Sequence, residues 1–179
     1  SLGVATSLND LAVDLYIQGK AAEAEGTQRE ALAIQVKIYG AGHPYVLNSL
    51  YNLVRSISLQ TNLTAAQLQD KFAETEPVAR QCQTALTEKY PDDWISFSGR
   101  CLLGYCLVGQ KKYAEAEPLL LSGLDGLKQR EDKVPAGDKP RLIDAVSALA
   151  KLYEATSRPD PAAQWKTTLA DLKKADQVK

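Results

Sequence analysis

The sequence predicts an all-α chain, an α-α superhelix of four helical hairpins, and three observations carry that expectation. Apolar residues recur at the helical period, as with Leu8, Leu11, Ala12 and Leu15 on one face of a segment from about Val4 to Gln18. Similar segments return along the chain: VATSLNDLA at 4–12 aligns with VLNSLYNLV at 46–54, an offset of 42 residues. No stretch shows sustained strand alternation bounded by hairpin turns.

The first helix breaks at Gly19-Lys20, and a second periodic run containing Ala24, Ala31, Ile34 and Ile38 continues to about Tyr39. Gly40-Ala41-Gly42-His43-Pro44 stops it and opens the next helix, with Pro44 near the first turn, where a missing N–H costs little. Two further first-helix segments follow, FSGRCLLGYCL at 97–107 and DAVSALAKLYE at 144–154. If Leu11, Leu53, Leu103 and Leu149 are equivalent, the next basic turn residue lies nine positions on at Lys20, Lys112 and Arg158. At Lys71 it lies eighteen positions on, so the second hairpin carries a nine-residue insertion, about TNLTAAQLQ at 61–69. Leu63, Leu68 and Phe72 suit a helix there. We expect the second helix of this hairpin to start about two turns early, roughly 13 Å, with Pro77 inside it and kinking it. The expected repeats are about 4–39, 45–90, 92–132 and 139–176, forming a single array over 1–179.

A short acidic block opens each of the first three second helices: KAAEAEG at 20–26, KFAETEP at 71–77 and KKYAEAEP at 111–118. Its parts have structural roles. Ala24, Ala116 and Ala162 are small enough to let paired helices approach, and Phe72 and Tyr113 are expected to plug the turn against the core. The glutamates are expected in the first helical turn, where an exposed carboxylate gains about 0.3–1 kcal/mol from the helix dipole. A metal or acidic-ligand site would need converging carboxylates, whereas Glu115 and Glu117 are two apart on a helix and point apart.

Composition excludes several function classes. Lys+Arg 21 against Asp+Glu 22 gives a formal net charge of −1, without the basic surplus that phosphate binding needs, so no nucleic-acid partner is expected. No apolar run reaches the ~18 residues of a membrane span, and no membrane role is expected. The three cysteines, Cys82, Cys101 and Cys106, lack disulfide or metal spacing and are read as buried apolar fillers in a reducing, cytoplasmic setting. His43, the single histidine, sits in a Gly-x-His-Pro turn, where capping or packing is expected in place of catalysis. There is no phosphate-binding glycine loop, HExxH or CxxC, so neither an enzyme nor a cofactor or metal is expected. On the last helix, Trp165, Leu169 and Leu172 form a packing stripe, with Lys166, Lys173 and Lys174 on other faces. The absence of Met and the start at Ser1 suggest an excised piece with further repeats ahead of Val4.

The small residues at Ala12, Gly104 and Ala150, the Gly-Lys turn, and then Ala24, Ala116 and Ala162 resemble tetratricopeptide repeats. The 42-residue spacing, LNDLAVDLYIQGKAAEAE and the His-Pro before the next helix resemble the kinesin-light-chain type found widely in bacteria. The stretch from LLGYCLVGQKKYAEAEP through PRLIDAVSALAKLYEATSRPDPAAQWKTTL resembles the C-terminal end of such arrays. Thr75 stands where the pattern has Ala, Gln28 where it has an aromatic or Leu, and Thr61 where it has a turn Gly. The resemblance implies a non-catalytic protein- or peptide-binding scaffold whose first helices line a concave groove. In that groove Asn9, Val13 and Tyr16, Asn48, Asn52 and Arg55, Tyr105 and Lys151 would meet the partner. Asn side chains suit an extended backbone, Arg55 and Lys151 a carboxylate, and the tyrosines apolar area with a polar tip. The alternatives are an oligomerisation or regulatory module of a larger protein such as a serine/threonine kinase, with self-association through the open first repeat, and a small-molecule sensor using the groove.

Overall fold

The computed structural model describes residues 2–177, which contain eight α-helices and no strand. The chain divides into two compact units, Ser1–Pro91 and Asp92–Lys179.

In the first unit, α1 (Leu2–Ile17) pairs with α2 (Ala21–Tyr39), and α3 (Pro44–Ser58) packs on α2 and on α4 (Ala65–Lys89). The α1–α2 turn closes because Gly19 takes a φ of 76°, letting its N–H donate to the Tyr16 carbonyl and that of Lys20 to Leu15. α2 stops at Gly40, whose φ of 80° a side chain would resist. His43 then caps α3: its Nδ1 accepts from the Tyr45 N–H at 3.2 Å, and its ring stacks on Tyr39 with centroids 4.3 Å apart. Capping and packing are both observed for this histidine.

α4 begins at Ala65 because Thr64 and Gln67 form a capping box: the Thr64 hydroxyl accepts from the Gln67 N–H, and the Gln67 side-chain oxygen accepts from the Thr64 N–H. The helix therefore starts six residues, roughly 9 Å, ahead of Lys71, and Pro77 lies inside it. This corrects one expectation. Glu23 and Glu115 do lie in first turns, but Glu74 and Glu76 fall in the middle of α4, beyond the reach of its N-terminal dipole.

The core of this unit is Val46, Leu47, Leu50, Leu53, Val54 and Ile57 of α3, closed by Phe72. Thr75, at an expected alanine position, is buried with its hydroxyl donating to the Lys71 carbonyl, so the extra polar atom is satisfied within its own helix. Leu11 departs from its expected buried face. It is 49% exposed, whereas its equivalents Leu53, Leu103 and Leu149 are buried. Leu53 lines a hollow shared with Leu32 and Val36 of α2, and no helix among the described residues stands in that relation to Leu11.

In the second unit, α5 (Trp94–Gly109) packs on α6 (Tyr113–Lys128), and α7 (Pro140–Ala155) packs on α5, α6 and α8 (Pro159–Gln177). Two single-turn 3-10 segments, Glu131–Lys133 and Ala136–Asp138, join α6 to α7. Ala116 and Ala162 are buried, as is Ala24 in the first unit, so the small-residue positions are the close approaches of paired helices. Tyr113 is only half-buried, unlike Phe72, so the plug is complete in one of the two hairpins. All three cysteines are buried and free, and burial pushes the Cys101 thiol up to about 12. On α8, Trp165, Leu169 and Leu172 are half-buried while Lys166, Lys173 and Lys174 are exposed.

The α1–α2 turn geometry recurs here without glycine. Lys111 and Ser157 hold φ of 62° and 55°, and the next residues, Lys112 and Arg158, donate to Leu107 and Tyr153 as Lys20 does to Leu15. A left-handed conformation costs a residue with Cβ about 1–2 kcal/mol. Lys111→Gly is therefore expected to stabilise the second unit by about 0.5–1 kcal/mol, the flexibility of glycine in the unfolded chain offsetting part of the gain. Urea unfolding reads this directly, and an unchanged midpoint would show that the turn is not strained.

Candidate functional site

Six of the eight expected groove residues lie in the first unit, all half-buried: Asn9, Val13 and Tyr16 on α1, and Asn48, Asn52 and Arg55 on α3. Packing brings four of them together. Val13, Tyr16, Asn52 and Arg55, with Ala12, Ile17 and Ser56, line a hollow of about 230 Å³. The Arg55 guanidinium carbon stands 5.0 Å from the centre of the Tyr16 ring, a cation–π distance that orders both side chains. Ile17, 74% exposed, gives the hollow an apolar rim.

Asn9, expected to face a partner, also makes contacts within the chain. Its Oδ1 accepts from Gln28 Nε2 at 3.2 Å and from Asn52 Nδ2 at 3.5 Å. Ser49 Oγ also lies 3.3 Å away, but its single proton has a nearer acceptor in Gln35 Oε1 at 2.7 Å. Asn9 is thus the hub of a polar network under the hollow, and it holds Asn52 in place at the wall. Gln28, fully buried where the repeat pattern has an apolar residue, is the network's link to α2. Asn48 does not line the hollow. Tyr105, half-buried on α5, and exposed Lys151 on α7 belong to the second unit.

A second arrangement was missed by the sequence reading. Glu25, the second glutamate of the first acidic block, is 4% exposed. Its carboxylate accepts from Lys71 Nζ at 2.7 Å, Gln60 Nε2 at 2.6 Å and Arg29 Nε at 2.9 Å. Burial would raise its pKa, but these three donors outweigh burial and hold the carboxyl below its ordinary value. Lys71 lies inside α4 of the next hairpin, at the repeat position that Lys20 and Lys112 hold in theirs, so the pair ties hairpin to hairpin. The same pair recurs in the second unit, where Arg158 donates to both Glu117 oxygens, at 2.8 and 2.9 Å, and Tyr153 donates at 2.8 Å. There too burial opposes, and Arg158 and Tyr153 lower, the carboxyl pKa. The signal was present in the sequence: the basic turn residue and the acidic block that marked off each repeat are the two halves of this latch.

The larger hollow on the last hairpin, about 500 Å³, has its charges already matched, Arg158 by Glu117 and Lys166 by Glu154. Among the described residues no group of three or more His, Cys, Asp or Glu is placed to hold a metal ion, and no helix is long and apolar enough to cross a membrane.

Helical hairpins with small residues at their crossings, repeated and latched in sequence, define a helical-repeat protein. Residues 4–45 match the tetratricopeptide repeat family model. Repeats of this family generally act as scaffolds for protein–protein interaction and are typically non-catalytic. No curated protein matches the chain. Among solved structures, a variant of a kinesin-light-chain-type protein of Podospora anserina, with nearly identical TPR-like repeats, shows 16% identity and a TM-score of 0.46. The alignment covers 97% of this chain and 96% of that one, a likeness too distant to carry an argument about function.

Proposed function

We propose that this chain is a non-catalytic scaffold that binds an extended peptide segment of a protein partner, through the α1–α3 face of its first unit. The observation that carries the proposal is the hollow where Arg55, stacked on Tyr16, stands beside Asn52 and the apolar Val13 and Ile17. A backbone amide suits Asn52, an acidic side chain or terminal carboxylate suits Arg55, and one apolar side chain fills the hollow. Tyr105 and Lys151 offer the same chemistry on α5 and α7 within the second unit. In this reading 1–179 serves as a single array, with repeats about 4–39, 45–90, 92–132 and 139–176, in a larger cytoplasmic protein of the bacterial kinesin-light-chain-like type.

The test is a library of extended acidic and neutral peptides, read by fluorescence anisotropy against the wild-type chain and Asn52→Ala/Arg55→Ala. Loss of these two wall residues is expected to weaken the best binder by about tenfold or more. Equal affinity for the double variant would remove this face from the function.

A further inference from the structure

Gln28 is fully buried, yet only half of its amide is satisfied. Its Nε2 donates to Asn9 Oδ1 at 3.2 Å, while its Oε1 has no hydrogen-bond partner among the described residues. A buried acceptor without a donor costs stability, and an apolar side chain would not incur that cost. The other hairpins show that the position accepts one. Four residues beyond Ala24, Thr75 and Ala116 stand Gln28, Ala79 and Leu120, and the last two are buried apolar residues. Two residues before Leu11, Leu53 and Leu103 stand Asn9, Tyr51 and Cys101. Two facing carboxamides are therefore particular to hairpin one, which carries a wall of the α1–α3 hollow.

The buried amide orients its neighbours. A carboxamide has an acceptor on one side of its plane and a donor on the other. Gln28 Nε2 and Asn52 Nδ2 both donate to Asn9 Oδ1, at 3.2 and 3.5 Å, so that oxygen points into the network and Asn9 Nδ2 points away from it. Asn52 uses its Nδ2 in the same contact, which turns its Oδ1 away from Asn9 at the wall of the hollow. Neither Asn9 Nδ2 nor Asn52 Oδ1 has a partner among the described residues, and both side chains are half-buried. Without Gln28, a half-turn of the Asn9 amide would exchange its donor for its acceptor.

We propose that Gln28 is a positioning residue that fixes Asn9 and Asn52 as a donor–acceptor pair, and that this pair reads the C=O and N–H of one backbone residue in a bound peptide. The inference rests on the peptide-binding reading of this face. In an extended chain the N–H and C=O of one residue point to the same side, as in paired strands, so a single residue meets both amides. That residue needs its N–H, which excludes proline there.

The test uses the full chain and the tightest peptide of the library described above. Gln28→Met keeps the length of the side chain and removes the amide. Its thermal midpoint is expected to equal or exceed that of the wild type, while peptide affinity falls by about fivefold or more. Peptide amides are then replaced one at a time by esters, which removes an N–H without adding bulk. At one residue the ester is expected to weaken binding to the wild type by about fivefold or more, and to Gln28→Met by about twofold or less. Equal affinity of Gln28→Met and wild type, with Asn52→Ala/Arg55→Ala still weak, would overturn the proposal and leave the binding face in place. The same ester profile for both proteins would also overturn it, and would leave Gln28 a structural residue whatever its effect on stability. A library without any binder would remove the peptide reading itself, and this inference with it.

Discussion

Replacing Gly123 with alanine is expected to destabilise the second unit by about 2 kcal/mol, although alanine is the better helix former by ~1 kcal/mol. Gly123 lies inside α6 where it crosses α5. A Cβ there would stand 2.5 Å from Cys101 Sγ, 2.9 Å from the Phe97 carbonyl oxygen and 3.1 Å from the Cys101 nitrogen. Two of these three neighbours are backbone and cannot rotate aside, so the helices must move apart. The thermal midpoint of the unit is expected to fall by on the order of 10 °C. Gly137→Ala is the control: nothing lies within 4 Å of its added methyl, and its effect should stay within about 0.5 kcal/mol. A Gly123→Ala chain as stable as the wild type would show that the α5–α6 crossing has slack.

The second large effect is expected at the Glu25 latch. Lys71→Met keeps the length of the stem but removes the ammonium from a carboxylate that is 4% exposed. Arg29 and Gln60 remain, and the Lys71 side chain is itself 29% exposed. The loss is therefore set at about 1–3 kcal/mol, below the cost of orphaning a fully buried charge. Arg158→Ala in the second unit breaks a more exposed pair, with side-chain exposures of 46% and 24%, and should cost under about 1 kcal/mol.

Acid supplies an independent check on the latch. The folded-state pKa of Glu25 lies below its ordinary value of 4.5, so the folded chain binds that proton more weakly than the unfolded chain does. The stabilisation is complete above about pH 4.5 and disappears as pH falls through the folded value. Wild type and Lys71→Met should accordingly differ most at pH 7 and converge in acid, as read from denaturant midpoints at several pH values. A constant gap across that range would mean that Lys71 contributes packing and not charge.

Much of this architecture was legible in sequence, because the features that announce it are local. Gly19 and Gly40 take positive φ, and His43-Pro44 starts a helix where the punctuation places one. Ala24, Gly104, Ala116 and Ala162 are buried at the helix crossings because only small side chains fit there. Of the expected binding face, Val13, Tyr16, Asn52 and Arg55 do converge, since helical spacing decides which residues share a side. Asn9 was read as a groove residue, and its Oδ1 is engaged within the chain. Its partners, Gln28 and Asn52, are 19 and 43 residues away, and no local pattern pairs them.

The helices, their turns and the spacing of the hairpins follow from local sequence, because these depend on backbone preferences and contacts within one or two turns of helix. Residues that the pattern treats as equal part ways once the fold brings distant neighbours against them. Leu11 and Leu53 occupy the same repeat position, yet one is half exposed and the other is buried beside Leu32 and Val36 of α2. Glu23 and Glu25 look alike in KAAEAEG, but the first faces water while the second is buried under Lys71. Burial and charge pairing are properties of neighbours brought from tens of residues away, so a repeat read along one strand of sequence shows where each contact can form and not which residue fills it.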